Sequence, residues 1–172
     1  MSYNKEDELA VIWTKLMIGK MRSKKDNIAE YILYLWQMED YLRAFQQHAE
    51  ATEELHELNE MMHREGIMDG GHLAIANNAL EELEELHATL LNEDAMYRAA
   101  IIRLTPQLNL LKAKTDRPTM SDIEACLILL YQVMLLRLQK KEISLETASV
   151  QQQATRVLTF LSKTYHDDQT AV

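Results

Sequence analysis

Apolar residues recur along this chain at the helical period of about 3.6 residues. Residues 6–18 place four large apolar side chains on one side of a short amphipathic helix: Leu9, Ile12, Trp13 and Leu16. The same kind of spacing predicts longer helices in the remainder of the chain, over residues 24–48, 51–65, 72–91, 92–114, 121–142 and 145–165. The pattern predicts an all-α protein.

Capping residues mark where several of these helices begin. Ser121 and Glu124 have the spacing of a capping box, in which the hydroxyl and the carboxylate bond reciprocally to the first backbone N–H groups. Ser23 and Asp26 share that spacing, and Ser144 is predicted to cap the last helix. Each serine is therefore expected at a helix start.

Turn residues mark the breaks between the helices. Gly66 is predicted to end the helix over 51–65, and residues 69–71 (Asp-Gly-Gly) form the clearest turn signal. Asn92 is predicted as the next N-cap, and Thr105-Pro106 as a local stop and restart. Because the loops are short, successive helices are expected to be antiparallel neighbours in an up-and-down bundle of about five to six helices.

The amino-acid composition also favours an all-α fold, and the chain length fits one domain. The chain has 172 residues but only 4 glycines and 2 prolines, far fewer than the turns of a sandwich, barrel or Rossmann unit require. We expect a single bundle domain over residues 21–165. Residues 1–20 are expected to be an N-terminal arm or short amphipathic helix, and residues 166–172 a disordered tail.

Charge and cysteine content narrow the possible partners. The net charge of -9 opposes nucleic-acid binding, which needs a basic surface. The single cysteine, Cys126, lies in an apolar run and indicates a reducing compartment. The longest uncharged stretch, residues 125–136, is too short to span a bilayer, and no secretory signal begins the chain. We expect a cytoplasmic protein that binds neither membrane nor nucleic acid.

Two charged residues fall on faces that should be buried. Glu39 lies within the stripe of the second helix that is otherwise apolar, and Arg137 lies on the apolar face of the helix over 121–142. A buried carboxylate needs a partner. Glu39 and Arg137 are therefore predicted to form an ion pair that locks two helices in register, or else to line a polar binding pocket.

Two histidines fall on the inward face of the helix over 72–91. His72 and His87 are fifteen residues apart, about 22 Å along a helix, so they cannot share one site. Each is predicted as a core histidine with a hydrogen-bond partner, and each is also a candidate for a polar pocket. His72 follows the Gly-Gly turn, where it could bond the helix start or a loop carbonyl.

Carboxylate–histidine spacing raises the possibility of a metal site. Glu-x-x-His places both side chains on one helical face, as in di-iron carboxylate bundles. Three such motifs occur, at Glu53/His56, Glu60/His63 and Glu84/His87. A di-metal centre needs these motifs on different helices, all pointing inward. The looser alternative is a surface metal site formed by His56, Glu60 and His63.

Methionines and two longer segments complete the sequence evidence. Met61, Met62 and Met68 cluster near the turn, where they could form an adaptable binding surface or fill the core. The segments 26–44 and 135–147, with 64–67 and 71–73 between them, resemble the uncharacterised bacterial family known as domain of unknown function DUF4924.

That resemblance implies a compact all-helical domain in a bacterial cytoplasm. It assigns no activity, no cofactor and no catalytic residues, and the first twenty or so residues lie outside it. It covers about residues 20–165 and so includes four of the candidate site residues, namely Glu39, His72, His87 and Arg137.

We therefore predict a protein-interaction or regulatory module whose partner is an unknown protein or a second copy. The short helix over 6–18 could pack on the bundle, on that second copy or on a partner. The alternative is a metal- or small-molecule-binding helical bundle with enzymatic activity, although the chain has neither a Gly-rich phosphate loop nor a Gly-x-Ser-x-Gly elbow.

Overall fold

The computed structural model describes residues 23–171, and within that range it contains six α-helices and no strand. Their bounds are α1 Ile28–Ala44, α2 Glu53–Glu65, α3 Ala74–Glu93, α4 Ala95–Lys114, α5 Asp122–Leu138 and α6 Leu145–Thr170, with a short 3-10 helix at Gln46–His48. The predicted all-α fold is confirmed. No helix in the described range is long and apolar enough to cross a membrane. The predicted arm over 1–20 lies outside the described residues.

The described residues divide into two compact units. The first contains residues 23–24 and 30–79: most of α1, all of α2 and the first turns of α3. The second contains residues 25–29 and 80–171: the remainder of α3 with α4, α5 and α6. That residues 21–165 behave as one domain stays a prediction.

The core of the first unit is built from apolar side chains on all three of its helices. The buried aliphatic and methionine side chains of this unit include Ile32, Leu35, Leu42, Leu55, Leu58, Met62 and Leu73. The stripe predicted for α1 is thus buried, and Met62 fills the core, whereas Met61 and Met68 are only half-buried. One of the three methionines near the turn therefore fills the core, and the other two are partly exposed.

In the second unit α4, α5 and α6 pack against one another. Their buried residues are mostly aliphatic and include Ile101, Leu104, Leu108, Ile123, Leu127, Val133, Leu158 and Leu161. Cys126 is a buried free thiol among them. Residues 25–29 are tied to α6 in the same unit, since Ala29 N donates to Ser162 Oγ (3.3 Å) and His166 Nδ1 donates to the Lys25 carbonyl (2.9 Å).

Three of the predicted helix ends are confirmed. Ser121 Oγ accepts a hydrogen bond from Glu124 N at the start of α5, and Ser144 Oγ accepts one from Thr147 N at the start of α6. At the end of α2, Gly66 has a φ of 68°, the left-handed conformation that lets the backbone leave the helix. Local capping chemistry is sufficient to place these ends.

Two interpretations of the chain around α4 are wrong. The N-cap is Asp94, whose side chain accepts from Tyr97 N (2.9 Å), while Asn92 donates to Ala88 O within α3. Pro106 does not interrupt α4. It lies on the exposed side of the helix, where the carbonyl it leaves without an N–H partner can be hydrated.

Two other helix boundaries differ from those predicted from the sequence. α1 begins at Ile28, so Ser23 lies too far ahead to be its N-cap. α6 continues to Thr170, so residues 166–170, expected in a disordered tail, are helical. Side-chain hydrogen bonds accompany this extension, including Tyr165 Oη to Glu82 Oε2 (2.7 Å) and the His166 contact with Lys25. Contacts distant in sequence thus lengthen a helix whose last turns are polar.

Replacing Gly66 by alanine should destabilise the protein by about 1 kcal/mol, because a Cβ makes the left-handed conformation costly. A Cβ at this position meets no heavy atom within 4 Å, so the loss reports backbone conformation alone. Urea unfolding measures it, with Gly66→Asn as the control, since asparagine tolerates this conformation better. An alanine variant as stable as the native chain would contradict the assignment.

Candidate functional site

The first site centres on a buried carboxylate in the first unit. Glu39 on α1 is only 1% exposed. Its Oε1 accepts from the backbone N–H of Leu73 (2.9 Å), and its Oε2 accepts from His72 Nδ1 (2.7 Å). Because a carboxylate oxygen is the acceptor, the proton of this second bond is assigned to Nδ1. Both oxygens of Glu39 are therefore used within the protein.

This carboxylate also completes the start of α3. Helix α3 begins at Ala74, and it has no acidic residue in its own first turn. Glu39 binds the Leu73 N–H, and Glu65 Oε1 accepts from Ala74 N (2.7 Å). Two carboxylates from α1 and α2 thus satisfy N–H groups at the positive end of α3, a role usually filled by a nearby residue in sequence.

His72 is held on a second side by an aromatic ring. The rings of Trp36 and His72 are stacked, with centroids 4.7 Å apart and planes at 22°. Trp36 is 4% exposed, whereas the side chain of His72 is 37% exposed. Within the described residues, Nε2 of His72 has no hydrogen-bond partner. The histidine therefore presents one ring edge to solvent while Glu39 and Trp36 fix its orientation.

Arg43, one helical turn beyond Glu39, fastens the loop that carries His72. Its Nη2 donates to the carbonyls of Ile67 (2.8 Å) and Gly71 (2.5 Å), and its Nε donates to Ile67 O (3.2 Å). A guanidinium suits this task because its donors are held in one plane. Sequence reasoning missed Arg43. The available signal was its i+4 spacing from Glu39, which places both on the same side of α1.

The predicted pairing of Glu39 with Arg137 is wrong. Arg137 is exposed at the end of α5, and its Nη2 donates to Gln151 Oε1 on α6 (2.8 Å). The apolar face of α5 that includes position 137 becomes less buried toward the end of the helix, since Leu130 and Met134 are only half-buried. Helical spacing gave the angular position correctly but could not show that the core ends before residue 137.

His87 is half-buried in the second unit, where its Nδ1 and Tyr97 Oη are 2.6 Å apart. The rings meet edge to face, with centroids 5.6 Å apart. Burial lowers the pKa of His87, an effect that the negative charge of Asp122 partly opposes, and burial raises the pKa of Tyr97. His87 therefore has a hydrogen-bond partner but is only half-buried rather than enclosed in the core.

The residues proposed for a metal site do not converge. Among residues 23–171, no three histidine, cysteine or acidic side chains lie where they could hold one ion. His56 Nδ1 instead lies 2.9 Å from Glu50 Oε1 at the surface, and this carboxylate raises the pKa of His56. Glu60 and His63 share the polar flank of α2, but no third ligand from another element joins them.

The second site is an open apolar groove between α4 and α6, with a volume of about 520 Å³. Its lining residues are Asp94, Met96, Tyr97, Ala100, Arg103, Gln153, Arg156, Val157 and Phe160. Met96 is 84% exposed and Phe160 is 42% exposed. The Phe160 ring lies against that of Tyr97, with centroids 5.8 Å apart, so the floor of the groove is aromatic.

Two arginines line this groove, one from each helix. Arg103 on α4 and Arg156 on α6 are both exposed, and neither forms a side-chain hydrogen bond or ion pair with another described residue. Asp94, at the start of α4, is engaged as the N-cap. The groove therefore combines an apolar floor with two available positive charges. Sequence reasoning missed it because two helices far apart in sequence form it together.

The chain belongs to the family described as domain of unknown function DUF4924, whose profile matches residues 17–56 and 46–171. The matched ranges include Glu39 and His72 as well as both helices of the groove. Comparison with curated proteins and with solved structures found no significant match.

Glu39→Ala should destabilise the protein by at least about 2 kcal/mol, because it opens a cavity and leaves the Leu73 N–H without its partner. Asp40→Ala, which removes the neighbouring exposed carboxylate, is the matched control and should cost under about 1 kcal/mol. Urea unfolding measures both. A double-mutant cycle of Glu39→Gln with His72→Ala should show coupling, whereas one with Arg137→Ala should be additive. Coupling to Arg137 alone would contradict this site.

Stability should also depend on pH through His87. Because burial lowers its folded-state pKa, the unfolded chain binds more protons below about pH 6.5. The contribution is therefore fully present above that pH and is lost as pH falls. Free energies of unfolding at about pH 5 and about pH 8 should differ less in His87→Gln than in the native chain. Equal differences in both proteins would exclude this role.

Proposed function

We propose that this protein is an interaction module that binds an amphipathic helix of a partner protein in the groove between α4 and α6. The observation that carries this proposal is the combination of an exposed aromatic floor with two arginines that have no partner in the described chain. Exposed apolar surface bordered by charge is typical of interaction sites rather than of an inert face.

The proposed partner helix would lie along the groove with its apolar side against the aromatic floor. A helix that binds in this way inserts apolar side chains spaced at i, i+3, i+4 and i+7. Met96 and Phe160 give such side chains a flexible and an aromatic contact, and the ring of Tyr97 supports Phe160 from below. The hydroxyl of Tyr97 already bonds to His87 within the protein, so the ring of Tyr97 is held from the side away from the groove.

Charge defines the partner further. The protein carries a net charge of -9, so its long-range field opposes an acidic partner except where positive charge is concentrated. Arg103 and Arg156 supply that concentration beside the apolar floor. The partner helix is therefore expected to carry aspartate or glutamate next to its apolar stripe, and these pairs would fix its register.

A second candidate is a small amphipathic anion, favoured by the groove volume, which falls within the range of small-molecule sites. The enzymatic alternative has less support: both oxygens of Glu39 are engaged and buried, so it has no atom available to a substrate. We also infer a reducing, cytoplasmic setting, consistent with the lone buried thiol of Cys126, whose pKa burial raises to about 12.

The proposal is tested by photo-crosslinking in the source cells, with a photoreactive amino acid in place of Met96. The matched control carries it at Glu81, an exposed helical position of the same unit outside the groove. Met96 should give a protein adduct whose crosslinked peptide is an acidic amphipathic helix, and Glu81 should not. Adding Arg103→Glu and Arg156→Glu should remove the adduct.

Two results would count against a helix-binding module. Equal adducts at Met96 and Glu81 would mean that the groove selects nothing. A small molecule that copurifies with the native protein and is lost from the double arginine variant, without any protein adduct, would favour the second candidate.

A further inference from the structure

We propose that two copies of this chain form a twofold-symmetric dimer through a second groove of the second unit, between α4, α5 and the start of α6. This aliphatic groove has a volume of about 410 Å³, and it has no lining residue in common with the α4/α6 groove described above. The inference therefore does not depend on the proposed function. It assigns an occupant to a different surface.

The apolar lining of the aliphatic groove comes from all three helices. Leu108 and Val133 are buried in it, and Leu110 is 56% exposed. The half-buried aliphatic side chains of the groove are Leu111, Leu129, Leu136 and Val150. Apolar surface that stays open in this way inside a polar border is typical of an interface with another protein.

The charges that border the aliphatic groove are of opposite sign. Lys114 lies in the last turn of α4 and Glu146 in the first turn of α6, and both are exposed. Neither side chain forms a hydrogen bond or ion pair within residues 23–171. In a twofold dimer two contacting residues meet twice, with their roles exchanged. Lys114 of one protomer can therefore pair with Glu146 of its partner, and the reverse.

Two amide side chains of the groove suit the same symmetry. Gln107 and Gln132 also line it, and an amide both donates and accepts hydrogen bonds, so it can bind a second amide. The α4/α6 groove lacks this property, because its two free charges, Arg103 and Arg156, are both positive. Charge complementarity therefore favours a second copy in the aliphatic groove and not in the α4/α6 groove.

The overall charge of the protein makes the contacts of this face decisive. Two copies that each carry a net charge of -9 repel each other at long range. The dimer therefore depends on short-range interactions, in which burial of the aliphatic side chains supplies attraction and the two Lys114–Glu146 pairs fix the orientation. Reversing one of these charges should weaken the dimer without unfolding the protein.

Sedimentation equilibrium of the full chain from about 1 μM to about 1 mM measures the dimer dissociation constant. Lys114→Glu alone, or Glu146→Lys alone, places two like-charge pairs in the dimer and should raise this constant at least about tenfold. The two changes in one chain should return it close to the native value. An equimolar mixture of the two single variants should form a heterodimer as tight as the native dimer, because both pairs then join opposite charges again.

Matched controls carry the same charge changes elsewhere in the second unit. Lys163→Glu and Glu85→Lys are at exposed positions outside both grooves, and they should leave the dissociation constant unchanged. They separate local pairing from net charge. Each reversal at 114 or 146 also opposes the dipole of its own helix. The doubly reversed chain keeps both of those unfavourable interactions, so its recovery cannot come from helix stability.

A second pair of variants tests the apolar part of the groove. Leu110→Asn should raise the dissociation constant severalfold, because it replaces an apolar side chain of the face by a polar one. The control is Ile102→Asn, since Ile102 is 64% exposed on the same helix and lines neither groove. It should have no such effect. Circular dichroism checks that both variants stay folded.

Three results would overturn the inference. A chain that stays monomeric over the whole concentration range would exclude the dimer. A dimer that responds no more to the reversals at 114 and 146 than to the control reversals would lie on another surface. A mixture of the single variants that forms no heterodimer would exclude the twofold pairing. The photo-crosslinking at Met96 tests the α4/α6 groove separately, so the failure of one proposal is distinguishable from the failure of the other.

Discussion

The first unit depends on how the buried carboxylate of Glu39 is satisfied. An ionisable group that is 1% exposed is costly unless each of its acceptor positions finds a donor. Here one oxygen binds a backbone N–H at the start of α3 and the other binds the imidazole of His72. The cost of burying the carboxylate is offset by these two hydrogen bonds. The same bonds fix the position of the start of α3 relative to α1.

Residues around Glu39 add further contacts that hold His72 and the start of α3 in place. Trp36 stacks on the face of His72, and Arg43 holds the carbonyls of the loop that leads to it. Glu65 adds the second carboxylate at the helix start. Because these contacts share Glu39, His72 and the loop between α2 and α3, removing one is expected to weaken the others, which is the behaviour of a cooperative polar network rather than of a single ion pair. This organisation favours a structural role for Glu39 over direct contact with a ligand.

The proposed function, in contrast, rests on a surface of the second unit whose interactions are incomplete within the described residues. The groove exposes aromatic and thioether surface and two arginines that the described chain does not use. Glu39 and His87, two of the polar candidates, already have hydrogen-bond partners within the protein, whereas the groove leaves apolar surface and two arginines without a partner in the described residues. The proposed partner helix would cover the apolar floor of the groove with its own apolar side chains. Its acidic side chains would pair with the two arginines.

Periodicity and capping chemistry determined the helical architecture, because a 3.6-residue stripe and a serine cap are local properties of the chain. They placed the starts of α5 and α6 at Ser121 and Ser144, the end of α2 at Gly66, and Glu39 within a buried face. They did not identify its partner. Arg137 has the right angular position but lies beyond the end of the core, whereas His72 reaches Glu39 through a loop.

Only the tertiary structure decided which distant elements meet. It brought Leu73 and His72 to the carboxylate, and it aligned α4 with α6 to form the groove. Neither arrangement is encoded in the spacing of residues along one helix, because each depends on how separate helices pack. The sequence by itself therefore determined the helices and their buried faces, and packing determined the sites.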